Sequence, residues 1–201
     1  MKAARVAEFI SFLKNTMIVV LVDTTNDAHL LHRVYEGVED LTLLVNPSNA
    51  EVDRVLRERP GETLMCMGHG FGGGLLAASY YKGHGLAVAV GDRNIELLKG
   101  RPLICIWCNA DEFAARHPEL SGFFTSMFIS NASEAAWFGF DGDEDDIFNE
   151  VTLFAERVNS LIKDKVNLYD WPVILRGQAD LTKDYVRFNY DGITYSGKKT
   201  A

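Results

Sequence analysis

Four short apolar runs, each five or six residues long and each closed by a polar or turn-forming residue, constrain what this chain can fold into. Met17 to Val22 ends at Asp23, Leu41 to Val45 at Asn46, Thr63 to Met67 at Gly68, and Leu103 to Trp107 at Cys108. None keeps a strict alternation of apolar and polar residues, so each fits a strand buried on both faces. Between the first three lie helical patterns, Ala28 to Val38 and then Ala50 to Arg59, with Val52, Val55 and Leu56 turned inward and Pro60-Gly61 as the stop. Strand, helix, strand, helix, strand implies a parallel sheet with crossover helices. The expected class is α/β, a three-layer α/β/α arrangement around a mostly parallel sheet.

The remaining chain gives further elements. Val6, Phe9, Ile10 and Leu13 predict an amphipathic helix over residues 2–14. Leu75 to Tyr81 and Leu86 to Val90 flank Lys82-Gly-His-Gly85 and predict a small hairpin after the third strand. Asp92 to Gly100 predicts a short helix, and Gly122 to Ser130 another strand. Asp141 to Asp146 opens the longest helical pattern, Ile147 to Val166, with Phe148, Val151, Phe154, Ala155, Val158 and Ile162 on one face. Val173 to Leu175 reads as a strand, and Val186 to Tyr195 as a C-terminal hairpin turning at Asp191-Gly192. The whole of 1–201 is expected to be one domain, with 167–201 a less regular extension packed on it.

Composition narrows the classes of function. The chain is 47% hydrophobic and 24% charged, with formal net charge -8. No block of Lys and Arg interleaves with aromatics, so nucleic acid is not an expected partner. No uninterrupted apolar span reaches membrane length, and Glu8 breaks the apolar part of the N-terminal stretch, which argues against a signal peptide. Three cysteines, an odd number without secretory context, argue against a disulfide framework. A reduced, cytoplasmic protein is expected, with no membrane partner.

Two residues carry the chemistry. Cys108 falls where the fourth run stops, and Asn109-Ala-Asp-Glu112 then offers the cap-type and acidic residues of a helix start. A thiol between a strand end and a helix N-terminus sits in positive potential, which lowers its pKa and favours the nucleophilic thiolate. His69 stands between Gly68 and Gly70 at the end of the third run. In a parallel sheet both carboxyl ends open on one edge, so His69 and Cys108 are expected to meet there.

Other patterns compete with this pair. Gly68, Gly70 and Gly73 satisfy G-x-G-x-x-G with Asp92 at a suitable distance for a ribose, but the motif follows the third strand and precedes loop and hairpin residues, not a helix. Cys105 and Cys108 satisfy C-x-x-C, but Cys105 is embedded in its strand, where positions three apart face opposite ways. Cys105 and Cys66 read as small buried hydrophobes. Asp141, Asp143 and Asp145 imitate a calcium-loop start, but Asp146 stands where the loop needs Gly and Thr152 where it needs Glu. His29 and His32 are spaced to share a metal, but no third ligand is expected nearby, so neither a metal site nor a cofactor is expected.

The order His-Gly after one strand, a hairpin and a helix, then Cys after a further strand resembles the caspase-like cysteine peptidases. His69-Gly70 and Cys108 stand at the positions of that family's dyad, and the likeness covers roughly residues 17–140. Ile106-Trp107-Cys108 replaces the Gln-Ala-Cys of caspases, and the clostripain-type and CHAT-domain members of bacteria are the nearer likeness. The resemblance implies peptide or protein substrates and hydrolysis through a thioester, with Cys108 as nucleophile and His69 as general acid. It also implies an oxyanion hole from the backbone N–H groups of Gly70 and Cys108. Asp111 and Asp92 are candidates for an acidic pocket that takes Lys or Arg, and both also read as helix-start carboxylates. A catalytically silent sensor or interaction module is the alternative from another class, and a nucleotide-binding protein a third.

Overall fold

The computed structural model describes residues 16–83 and 85–197, the side chains of Asn26 and Asp27 excepted. The helix expected over 2–14 and the turn residue His84 lie outside the described residues.

The four apolar runs are strands β1 (Met17–Leu21), β2 (Leu41–Val45), β3 (Thr63–Met67) and, after three intervening short strands, β7 (Pro102–Ile106). With β8 (Ser121–Phe124) and β9 (Thr194–Ser196) they form one sheet in the order β2-β1-β3-β7-β8-β9. Every pairing is parallel except that of β8 with β9, which is antiparallel. The class is therefore α/β, with helices flanking a mostly parallel sheet. The strand order turns at β1, which has β2 on one side and β3 on the other. Such a switch point leaves a crevice outside the carboxyl ends of the strands.

Burial on both faces explains why these strands lack polar residues. Val20, Cys66 and Cys105 point into one core, with Val52 and Leu56 of helix α2 (Asn49–Glu58) and Phe113 of helix α4 (Ala110–Arg116). Leu21, Met65 and Ile104 point into the other, with Val151, Phe154 and Val158 of helix α6 (Glu144–Lys163). Truncating a fully buried phenylalanine such as Phe113 or Phe154 to alanine costs about 3–5 kcal/mol in cores of this kind. Arg101, buried just ahead of β7, donates to the carbonyls of Leu97 (2.7 Å) and Leu56 (3.0 Å). It thereby ties the start of β7 to α2 and to the short helix α3 (Ile95–Leu98).

The helical part of the first crossover is not uniform: α1 (Asn26–His29) continues as a 3-10 helix over Leu30–Tyr35. The long helix starts at Glu144, and its acidic prelude acts as a cap, since Asp143 Oδ1 accepts from the N–H of Asp146 at 2.7 Å. Asn131 caps α5 (Ala132–Trp137) in the same way, accepting from Glu134 N–H at 2.9 Å. Gly122 to Ser130 is strand only as far as Phe124.

Two expectations for the C-terminal part are corrected. Val173 to Leu175 lies in helix α7 (Trp171–Gln178), which buries Trp171 and Leu175. The expected C-terminal hairpin is helix α8 (Asp184–Asp191) followed by the single edge strand β9. Helical spacing of Tyr185, Val186, Asn189 and Tyr190 places those side chains together on the core, and this outweighs their individual strand preference. Asn189 then braces the segment after β8, accepting from Ile129 N–H (2.7 Å) and donating to Ile129 C=O (3.0 Å). Among the described residues no helix is long and apolar enough to cross a membrane.

Candidate functional site

His69 and Cys108 stand at the carboxyl ends of neighbouring strands, β3 and β7, and both line one small cleft. Its volume is about 50 Å³, and its walls are largely apolar, including Ala28, Leu31, Phe128, Val151 and Phe154. Both side chains are half-buried, open to the cleft rather than sealed in the core.

His69 follows Gly68, which has a φ of +138°. A side chain at Gly68 would meet the carbonyl oxygen of Val22 at 2.8 Å, so only glycine lets β3 end this close to β1. The imidazole is then held from the β1 side, with Nε2 2.8 Å from the hydroxyl of Thr25. Tyr81 lies over it with ring centroids 6.0 Å apart.

Cys108 is placed by a sharp turn. Asn109 adopts the left-handed conformation (φ 64°, ψ 34°) that asparagine tolerates better than most residues, and α4 begins at the next position. Asn109 serves as N-cap without a side-chain cap hydrogen bond. The turn is fixed by Thr125, whose hydroxyl accepts from Trp107 N–H (3.1 Å) and donates to Trp107 C=O (2.9 Å). Thr125 C=O also accepts from Asp111 N–H at 3.0 Å. Neither Thr25 nor Thr125 is flagged by sequence reasoning, since a threonine at a strand end has no signature of its own. The Cys108 thiol donates to Phe128 C=O at 3.8 Å.

The chain matches no family model and no curated protein.

Gly70 has a packing role. It sits in the two-residue strand β4 (Gly70–Phe71), which pairs with β5 (Gly74–Leu76) and through it with β6 (Val88–Gly91) in a small separate sheet. A Cβ at Gly70 would lie 2.3 Å from Cδ1 of Trp107. The indole thus occupies the space a side chain would need, and its Nε1–H donates to Phe71 C=O at 3.3 Å. Arg116 donates to Gly72 C=O. The stretch from Phe71 to Gly74 is therefore the clamped turn of a hairpin.

This hairpin also bears on the glycine motif. Gly70 and Gly73 lead into an antiparallel turn, and no helix N-terminus follows them to receive a phosphate. Cys105 and Cys66 are register partners buried on the sheet face away from the cleft. Burial pushes both thiols up, and none of the three cysteines is in a disulfide.

Asp92 and Asp111 lie apart from the cleft lining. Asp92 accepts from His117 Nε2 at 3.0 Å and pairs with Arg116 at 3.4 Å, and it lines a different surface cavity with Phe71, Val88, Arg93 and Arg116. The His117 hydrogen bond holds the Asp92 carboxyl below its ordinary range against a small opposing effect of burial, with Arg116 adding to the lowering. Asp111 is in the first turn of α4, and its Oδ1 is buried without a hydrogen-bond partner among the described residues.

The expectation that His29 and His32 lack a third ligand nearby is corrected. Asp23, at the end of the first apolar run, turns back so that its Oδ2 lies 3.3 Å from His29 Nδ1 and 2.9 Å from His32 Nε2. Burial acts to raise the Asp23 carboxyl, but the hydrogen bonds and charges of His32 and His29 outweigh it and hold the group below its ordinary range.

Proposed function

We propose that this protein is a cysteine peptidase that cleaves peptide bonds with Cys108 as nucleophile and His69 as general acid. The observation that carries the reading is that these two residues, distant in sequence, line the same cleft at the carboxyl edge of a parallel sheet. Thiolate attack on the scissile carbonyl gives a tetrahedral adduct, whose collapse to a thioester releases the amine as His69 protonates it. Water, giving a proton to His69, then hydrolyses the thioester and restores the thiol. Thr25 occupies Nε2 of His69, so proton transfer in this scheme runs through Nδ1. Backbone N–H groups of Gly70 and Cys108 are the proposed oxyanion donors.

The apolar walls around Leu31, Val151 and Phe154 suit an apolar group of the substrate. The acidic pocket considered for Lys or Arg is not carried forward, because Asp92 is already paired, Asp111 Oδ1 is buried, and neither carboxylate is among the residues lining the cleft. A panel of peptide acyloxymethyl ketones tests the proposal. Covalent labelling at Cys108 that is lost in Cys108→Ala and slowed in His69→Ala is the expected result. No labelling of the native protein by any member of the panel overturns it and leaves the silent sensor or interaction module.

A further inference from the structure

Asp23, His29 and His32 have no part in the chemistry proposed above. Asp23 follows β1, His29 ends α1, and His32 stands three residues on in the 3-10 turn. One ligand atom from each lies within 4.8 Å of the other two, and Asp23 Oδ2 is reached by both His29 Nδ1 and His32 Nε2. Ligand atoms held about 2.0–2.2 Å from a tetrahedral zinc ion are about 3.3–3.6 Å apart. The Asp23–His29 distance of 3.3 Å already matches, and the Asp23–His32 distance of 2.9 Å needs only a small opening.

The supports around the three residues are those of a ligand set held in place. Tyr35 OH lies 2.5 Å from His32 Nδ1, so the ring nitrogen facing away from the cluster has its own partner, which fixes the orientation of the imidazole. Asn46 grips the Asp23 backbone twice, its Oδ1 accepting from Asp23 N–H and its Nδ2 donating to Asp23 C=O, both at 3.0 Å. The side chain of His29 is 72% exposed, whereas those of His32 and Asp23 are 35% and 21% exposed. An ion thus has a path in from the His29 side, towards two better-held ligands.

We infer that Asp23, His29 and His32 form a binding site for a divalent transition-metal ion of the zinc class, with a fourth position open to water. Two imidazoles and one carboxylate favour zinc and its neighbours over magnesium or calcium, which prefer all-oxygen sites. With Nε2 on the ion, the single proton of the His32 imidazole sits on Nδ1, which donates to the hydroxyl of Tyr35.

The test is calorimetric titration of the chelator-treated full chain with Zn²⁺, and visible absorption of the Co²⁺ form. One equivalent is expected to bind, with the Co²⁺ spectrum of a four-coordinate site. His29→Ala, His32→Ala and Asp23→Asn should each weaken binding at least tenfold, and Tyr35→Phe about tenfold or more. Cys108→Ser, His69→Ala and His117→Ala should leave it unchanged. His29 is exposed, so His29→Ala keeps the fold and decides the matter even where the other variants do not. Absence of saturable binding overturns the inference. So does binding that survives His29→Ala, or that is lost in Cys108→Ser or His69→Ala instead.

Discussion

The hydroxyl of Thr25 lies 2.8 Å from Nε2 of His69, joining the loop after β1 to the turn after β3. That contact ties Nε2 to the β1 side, and in the proposed mechanism proton transfer then runs through Nδ1. Thr25→Val keeps the shape and removes the hydroxyl, freeing the ring to rotate. Under the proposed mechanism, labelling of Cys108 by a peptide warhead should slow by about tenfold or more, because small misplacements of a catalytic group are costly. Thr25→Ser should restore most of the rate. Equal rates in wild type and Thr25→Val would remove Thr25 from any positioning role.

Cysteine reactivity should divide along the faces of the sheet. Cys66 and Cys105 are buried and their thiols are pushed up by that burial, whereas Cys108 is half-exposed in the cleft. Brief treatment of the native protein with iodoacetamide should therefore add one group, at Cys108, and treatment in denaturant should add three. Intact mass and peptide mapping read the result, and native modification of Cys66 or Cys105 would contradict the burial described.

Gly70→Ala should destabilise the protein through Trp107. The added Cβ would lie 2.3 Å from Cδ1 and 2.6 Å from Cγ of the indole, and 2.8 Å from Gly74 C=O. Overpacking of this kind costs about 1–3 kcal/mol. Thermal unfolding should shift down by about 2–4 °C for each kcal/mol in a chain of this size. A melting temperature unchanged within one degree would show that the indole moves aside freely.

Tyr190 gives the protein an alkaline limit. Its hydroxyl donates to Glu150 Oε1 (3.0 Å) and accepts from Arg157 (2.5 Å), and burial together with Glu150 pushes its pKa up, Arg157 opposing. A tyrosine raised in the folded state contributes stability that is complete below its unfolded value near 10 and is lost as pH rises above it. Tyr190→Phe should therefore be less stable than wild type at pH 7. The gap should narrow above about pH 10, by at most about 1.4 kcal/mol per pH unit. Denaturant unfolding at a series of pH values checks both, and a constant gap would show that Tyr190 ionises equally in both states.

Much of the central sheet was legible because burial on both faces leaves a direct trace in sequence. Runs such as Met17 to Val22 and Leu103 to Trp107 can be satisfied only between two layers, and the alternating helical patterns supply those layers. The acidic start of the long helix was equally plain, since Asp143 acts through its own backbone neighbour. The end of the chain was misread because Val186 to Tyr195 carries strand-favouring residues and an Asp-Gly pair, both local signals. Packing of Tyr185, Val186 and Tyr190 against the core overrode them.

What the sequence by itself determined is the α/β class, the parallel order of the buried runs, and the delivery of His69 and Cys108 to strand ends. Strand direction fixes which edge a terminal residue reaches, and strand direction follows from the crossover pattern. The tertiary structure alone decided what stands beside those residues. Thr25 on His69, Thr125 beneath the Cys108 turn, Trp107 against Gly70, and Asp23 folded back on His29 and His32 all depend on side-chain orientation at loop ends. Hydrophobic periodicity carries no information there, because a loop-end side chain is oriented by its contacts across the fold, not by the period of its own segment.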